Sequence, residues 1–461
     1  MTRPNILFLM TDQHRWDALG LTGGWVRTPN LDRIAREGVL FSSAYTPSPV
    51  CIPARVSLAT GWYPHNTAVW DNFHYTMPER TPTWMAAIRA AGYRTSLFGK
   101  THLHPHGGDI REREYLLHAW GLDDVDETVG PRAGVRCLCN MTEEWLGKGL
   151  WSAYIQDYAE RFSRKPHMVR PSPLGEADYY DTYVGRRAAE YLAQYDRPEP
   201  WCCWVSFGGP HEPWDAPEPY ASLYDPSAMP PPLEAPEMGE DRPTGRLDGK
   251  LRGTPQGVTP DDVAKMRANY AGNVTLIDDR IGEILSVLEE REELENTVIA
   301  FTSDHGEMNG DYGLLYKSTM LDSAARVPLL VRTPGTLRAG GGRTHGGPAE
   351  SLDVGATLAE LAGTECAHRQ FGRSLCPLLA DPAVEARPDA LTEIGGEIML
   401  VTDRHKGVLN QEGRVYLLFD RGRDPEERVN LAGRPEMAET EEALRLRILE
   451  RLASSQLYRP L

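Results

Sequence analysis

The stretch Asn5-Ile6-Leu7-Phe8-Leu9-Met10-Thr11-Asp12-Gln13 decides how the fold is read. Ile6 to Met10 is an unbroken apolar run that gives way abruptly to polar residues, the pattern of a strand buried on both faces. Such strands belong to parallel sheets covered by helices on either side, and the chain downstream alternates accordingly. Asn30 to Glu37 reads as a helix closed by Gly38, and Val39 to Tyr45 as a strand. Thr83 to Ala91 reads as a helix closed by Gly92, and Arg94 to Phe98 as a strand. Glu176 to Tyr195 reads as a long amphipathic helix, followed by a strand from Trp201 to Phe207. Thr259-Pro260-Asp261 supplies an N-cap, a first-turn proline and an acid facing the helix dipole, so a helix is predicted from there to about Glu290. A strand follows from Thr297 to Thr302. The expected class is α/β, a mostly parallel sheet sandwiched by helices.

Two stretches break the alternation. His104 to Leu174 reads as loop-rich, with Trp120, Trp145 and Trp151, and suggests a lid or pocket wall. Asp225 to Pro243 is proline-rich irregular surface. After about Pro382 the character changes to short β-like runs, Ile398 to Thr402 and Arg414 to Leu418, and then a charged helix from about Glu436 to Ala453. The expected organisation is a catalytic α/β domain over residues 1–382 and a small α+β subdomain over 383–461. The tail Leu457-Tyr458-Arg459-Pro460-Leu461 is a candidate for docking on a neighbouring subunit, which makes a homo-oligomer one expectation.

The chain has 461 residues, with 66 acidic against 49 basic side chains and a net charge of −17. That balance argues against nucleic-acid binding and against adhesion to anionic membranes. It leaves room for a small anionic substrate, because a few local cations override the global sign. The apolar run near the N-terminus is too short for a signal peptide or a membrane span, so the expected compartment is the cytoplasm. Seven scattered cysteines make no disulfide framework, and Cys202 and Cys203 read as core.

In open α/β sheets, sites lie beyond the carboxyl ends of the strands. Asp12 follows the first predicted strand. Cys51 follows the second across a short loop. Lys100 and His102 follow the third, His211 the fourth, and Asp304 with His305 the fifth. Singly, each is an ordinary cap or turn residue; together they are hard to explain by caps. Asp12, Asp304 and His305 suit a divalent cation, with carboxylates favouring calcium, magnesium or manganese over zinc. Arg55, Lys100, His102, His211 and Lys317 would surround it with positive charge, an arrangement suited to a tetrahedral oxyanion. Pro53 fits the first turn of a helix, which places Cys51 at a helix N-terminus, where a thiol is acidified. The residues alone leave Cys51 as either a thiolate nucleophile or a buried packing residue.

Cys51-Ile52-Pro53-Ala54-Arg55, continuing through Leu58 to Thr60-Gly61, resembles the signature C-x-P-x-R-x-x-L-x-T-G of the formylglycine-dependent sulfatases, in the alkaline-phosphatase superfamily. The likeness extends along the chain: Arg3-Pro4-Asn5-Ile6-Leu7 into Asp12, Thr28-Pro29-Asn30-Leu31-Asp32, Gly99-Lys100-Thr101-His102, Pro210-His211-Glu212-Pro213, Ser303-Asp304-His305-Gly306 with Lys317, and Asp424-Pro425 to Asn430-Leu431 near the end. Asp12-Gln13 departs from the paired Asp of many members. With Asp304-His305 it resembles the branch containing choline sulfatases and phosphonate monoester hydrolases. Gln13 would offer a carbonyl oxygen in place of a carboxylate.

The resemblance implies an alkaline-phosphatase-like fold and hydrolysis of a sulfate ester to alcohol and inorganic sulfate. A maturation enzyme would oxidise Cys51 to formylglycine, whose hydrate attacks sulfur; the resulting hemiacetal then collapses to release sulfate. Asp12, Asp304, His305 and residue 51 would hold one divalent metal, calcium first, with magnesium or manganese as alternatives. Arg55 would steady residue 51, and Lys100 and Lys317 would bind sulfate oxygens. His211 would serve the leaving oxygen, and His102 the hemiacetal. In that branch Asn72 would reach the oxyanion; otherwise it is a turn residue. A phosphonate monoester or phosphodiester hydrolase on the same scaffold is the competing reading, disfavoured by the retained Lys100 and His102. A binding protein with an unmodified Cys51 is the non-enzymatic one. His104, His106, Trp151 and Trp214 are further pocket-wall candidates, and nothing in the sequence chooses among sugar, choline and aryl sulfates.

Overall fold

The computed structural model describes residues 3–164, 168–240, 242–253 and 258–457. The last four residues of the suggested docking tail therefore lie outside the described residues.

An eight-stranded sheet forms the centre. From one edge to the other its strands are Arg343–His345, Val39–Phe41, Leu329–Arg332, Thr297–Ser303, Asn5–Thr11, Trp201–Ser206, Arg94–Gly99 and Asp124–Glu127. All run in one direction except Leu329–Arg332, which is antiparallel to both neighbours. The opening strand lies between Trp201–Ser206 and Thr297–Ser303, with Leu9 opposite both Val205 and Phe301. Its alternate residues feed two cores. Leu7 and Leu9 pack with Leu31 and Ile34, with Val184 and Ala188, and with Ile277 and Ile281 of the helix Pro260–Glu290. Ile6, Phe8 and Met10 pack on the other face with Trp84, Ile88, Val56 and Leu358. Burial on both faces is why the run carries no polar alternation.

The long helix begins as its sequence dictates. Thr259 caps the Asp262 N–H and Asp262 reaches back to the Thr259 N–H, with Pro260 in the first turn. Cys202 and Cys203 are buried on opposite faces of the sheet, one in each core. A four-stranded antiparallel sheet, Ala390–Ile394, Glu397–Val401, His405–Leu409 and Val415–Asp420, forms the C-terminal subdomain with the helix Ala438–Ser454. No helix among the described residues is long and apolar enough to cross a membrane.

Several expectations need correction. Val39 to Tyr45 is two short strands, Val39–Phe41 and Ala44–Tyr45, the second pairing with Ala349–Glu350 outside the main sheet. The helix expected from Glu176 starts as a 3₁₀ turn, Glu176–Asp178, and becomes α-helical only at Tyr180. The segment His104 to Leu174 is not loop-rich. It carries helices Glu114–Ala119, Asn140–Gly147 and Trp151–Arg164. Part of it walls the pocket described below, while Trp120 and Trp145 are core side chains whose indole N–H groups donate to the carbonyls of Pro78 and Asp178.

Candidate active site

The parallel strands deliver their carboxyl ends to one edge of the sheet, and the site lies there. Asp12 and Gln13 leave Asn5–Thr11, Lys100 and His102 leave Arg94–Gly99, His211 follows Trp201–Ser206, and Asp304 and His305 leave Thr297–Ser303. Cys51 is the first residue of the helix Cys51–Thr60, every residue of which is buried. Gly61 ends that helix in the left-handed region, at φ 71°, where glycine adds no steric penalty. Cys51 and Arg55 are one turn apart and so share a face.

Arg55 ties the two carboxylates together. Its Nε donates to Asp304 at 2.7 Å and its Nη2 to Asp12 at 3.1 Å, while Nη1 holds the Lys100 carbonyl at 2.8 Å and Ser206 Oγ at 3.1 Å. Lys100 Nζ also pairs with Asp12. Burial opposes ionisation of Asp12, and a Cys51 thiolate adds to that, but Lys100, His211 and Arg55 hold its carboxyl below the usual range. One ligand-capable atom from each of Asp12, Cys51, Asp304 and His305 lies within 4.8 Å of the others, all four residues buried.

His305 is oriented for such a role. Its Nδ1 is 2.9 Å from the Gly306 carbonyl, which can only accept, so Nδ1 donates and Nε2 is the nitrogen turned toward Cys51 and the carboxylates. The set of two carboxylates, one imidazole and residue 51 fits a divalent cation preferring oxygen donors. Gln13, whose carbonyl was the open question, makes other contacts. Its side-chain carbonyl accepts from Lys317 Nζ at 2.7 Å, and its amide donates to Glu212 at 2.8 Å and to Glu307.

Cys51 is surrounded by cations. Lys317 Nζ is 3.0 Å from its Sγ and His305 Nε2 3.1 Å. Burial alone would raise the thiol; Lys317, His305 and Lys100 overcome it and hold the group well below its ordinary value. Burial, with Lys100 nearby, lowers His102 to about 3, so it is neutral and can accept a proton, and it hydrogen-bonds Cys51. His211 Nδ1 donates to the Glu212 carbonyl at 2.7 Å. That leaves Nε2 as the nitrogen available to a ligand, and the residue lines the pocket. Asn72 lines the pocket too, and its Oδ1 accepts from the Ile52 N–H at 2.9 Å, closing the helix that begins at Cys51.

The pocket above Cys51 holds about 340 Å³. Of the anticipated wall residues, His106 lines it and packs on His102 with ring centroids 4.8 Å apart. His104 is buried behind, 2.7 Å from Glu127. Trp214 is buried and stacked on Tyr316. Trp151 braces the wall from outside, its indole N–H donating to the Gly134 carbonyl at 2.7 Å. Sequence reasoning missed Arg132 and Arg136, which follow the edge strand Asp124–Glu127 and line the pocket. The strand-end rule that found the other residues applies here as well. It was not used because Asp124-Val125-Asp126-Glu127 is too polar to read as a strand.

A sulfatase family model matches residues 4–364, and a model of the C-terminal region of N-sulphoglucosamine sulphohydrolase matches residues 310–454. The chain belongs to the sulfatase family. It is a sulfuric ester hydrolase by that membership. Among its relatives is a choline-sulfatase of Rhizobium meliloti (strain 1021), 31% identical over 94% of this chain and 83% of that protein. Another is the multifunctional alkaline phosphatase superfamily protein PehA of Trinickia caryophylli, 31% identical over 95% and 93%. The phosphonate monoester hydrolase of Agrobacterium radiobacter superposes with a TM-score of 0.78 at 26% identity, covering 98% of this chain and 96% of that one.

Proposed function

We propose that this sulfatase cleaves a small sulfate ester with Cys51, matured to formylglycine by a separate enzyme, as the attacking residue. The observation that supports it most directly is the cage around Sγ: Lys317 at 3.0 Å, His305 at 3.1 Å, and Lys100 and His211 on the same pocket wall. A hydrated formylglycine at 51 would supply the attacking hydroxyl. Asp12, Asp304 and His305, with residue 51, would hold a divalent cation, calcium first, which when bound lowers the pKa of a hydroxyl and draws negative charge. Lys100 and Lys317 orient the sulfate and stabilise charge on its non-bridging oxygens as the bond to the alcohol breaks. His211, with Nδ1 fixed on the Glu212 carbonyl, holds a proton at Nε2 for the departing alkoxide. His102, neutral beside residue 51, takes the proton when sulfate is released. Arg55 bridges Asp12 and Asp304 and holds both carboxylates in place. The cytoplasm is the proposed compartment.

The test is the mass of the peptide carrying Cys51 after co-expression with a maturation enzyme, paired with sulfate release by wild type and Cys51→Ala. Conversion lowers the mass by roughly 18 Da. The reading predicts that loss and activity in wild type only; equal sulfate release by both proteins defeats it. The likeness to PehA and to the phosphonate monoester hydrolase supports a second reading, phosphonate monoester or phosphodiester hydrolysis on the same residues. Lys100 and His102 on the pocket wall favour sulfate. Relative kcat/KM on an aryl sulfate and an aryl phosphonate separates the two.

A further inference from the structure

The pocket is more cationic than one sulfate requires. Among its described lining residues are Lys100, Lys317, Arg132 and Arg136, and no Asp or Glu. In a chain with an excess of acidic over basic residues this is a local reversal of sign. Lys100 and Lys317 are committed at the floor, the one to Asp12, the other to Gln13 and Cys51. The two arginines stand on a different wall, the loop after Asp124–Glu127.

Their surroundings differ. Arg132 pairs with Glu212, and its guanidinium lies 5.4 Å from the ring centre of Phe162 and 5.8 Å from that of Tyr316. Arg136 is exposed and has no ion-pair partner among the described residues. The backbone beneath both is fixed. Ala133 and Gly134 donate to the Gly130 carbonyl at 2.9 and 3.0 Å, Tyr154 holds the Pro131 carbonyl at 3.1 Å, and Trp151 holds that of Gly134 at 2.7 Å. A cation held on a braced loop in a concave site binds an anion with little ordering cost. Across the pocket stand Asn72, Phe73 and His74, with Phe73 47% exposed, an aromatic platform beside polar groups.

We propose that the substrate is a sulfate ester carrying a second anionic group, a further sulfate or a carboxylate, which Arg136 binds beside Arg132 while the reacting sulfate lies on Lys100 and Lys317. This rests on the sulfatase reading above and narrows its substrate class. It disfavours choline sulfate, whose quaternary ammonium would face two guanidinium groups with no lining carboxylate and one exposed aromatic ring, where a cation needs an aromatic cage.

The test is calorimetric binding to the Cys51→Ala protein, which cannot turn over. The probes are N-acetylglucosamine 6-sulfate, glucosamine 2-N,6-O-disulfate, a sulfated disaccharide bearing a uronate, and choline sulfate. The proposal expects at least one of the two dianionic sugars to bind about tenfold or more tighter than the monosulfate. Arg136→Gln should shrink that ratio to within about threefold and Arg136→Lys should restore most of it, in line with a charge contact. The ratio within one variant is insensitive to the fraction of protein that is folded. Equal binding of mono- and dianionic sugars, or tighter binding of choline sulfate, overturns the proposal. If the binding preference is present but matured wild type releases sulfate from none of these compounds, the sulfatase reading falls and the pocket preference stands.

Discussion

The Nε2 atom of His305 lies 3.1 Å from Sγ of Cys51 while Nδ1 of the same ring is tied to the Gly306 carbonyl at 2.9 Å. One nitrogen fixes the ring and the other is turned on Cys51, with Asp12 Oδ1 3.8 Å away. A histidine tethered in this way has its tautomer chosen before any ligand arrives.

Metal content should follow from that tether. His305→Ala and Asp304→Asn are each expected to reduce the affinity for a divalent ion by about tenfold or more, read by elemental analysis after dialysis. Chelation of wild type should abolish sulfate release. Restoration by calcium, magnesium or manganese, each added alone, then identifies the ion.

Gly130 tests the placement of Lys100 without touching it. A Cβ at position 130 would lie 3.1 Å from Lys100 Nζ and 3.4 Å from its Cδ. Gly130→Ala is therefore expected to push the ammonium from its place on Asp12. The consequence should be a fall in kcat/KM of about tenfold, equivalent to about 1.4 kcal/mol, with little change in thermal midpoint. An unchanged kcat/KM would mean that Lys100 gives way freely or does not meet the sulfate.

Asp181 sits beneath the loop that carries His211. Its Oδ1 accepts the N–H groups of Gly208 and Gly209 at 2.9 and 3.0 Å, while its Oδ2 and Asn273 Oδ1 have no hydrogen-bond partner among the described residues. Burial raises its carboxyl to about 7. The folded protein thus holds the proton more tightly than the unfolded chain does. The contribution is present below about pH 4 and is lost as pH rises through 7. Asp181→Asn, which keeps the acceptor and adds an amide donor for Asn273, should gain on wild type by about 2–3 kcal/mol in denaturant unfolding between pH 5 and pH 8. A constant difference across that range would refute the assignment.

Lys406 couples the C-terminal sheet to the active-site side of the molecule. Its buried Nζ bonds Asp322 at 2.8 Å and pairs with Glu427, and Asp322 opens the short helix five residues after Lys317. Lys406→Met leaves buried Glu427 without its cation and Asp322 with Arg326 alone among the described residues. The expected loss is about 3–5 kcal/mol in denaturant unfolding, with activity falling at temperatures where the protein remains folded. Replacing Lys406 together with both acids by apolar residues should recover most of the stability.

Much of the site was legible because chemistry and topology agreed in the sequence. Buried parallel strands announce themselves as apolar runs, and Asp12, Lys100, His211 and Asp304 follow such runs directly. Cys51 was legible through its helix start, since Pro53 and Gly61 mark both ends. Arg132 and Arg136 were not, because the strand preceding them is an edge strand whose side chains meet solvent and partners: Asp124 pairs with Arg94, and Asp126 with Arg187. Trp151 and Trp214 left two readings open, a pocket wall or packing. A large aromatic near a site looks like a wall, but burial is the commoner use of so much apolar surface. The position of Gln13 depended on Glu212, Glu307 and Lys317, three residues distant in sequence that only the folded chain brings together.

The burial of the entire helix Cys51–Thr60 bears on when residue 51 can be altered. A small ester reaches Sγ through the pocket, but a second protein that must grip Cys51 through Arg55 as a peptide finds none of it at the surface. On the proposed formylglycine reading, the oxidation would therefore belong to the interval between synthesis and folding. It would be settled once for each molecule, and a purified preparation would hold a fixed fraction of competent chains that later exposure to the maturation enzyme would not increase.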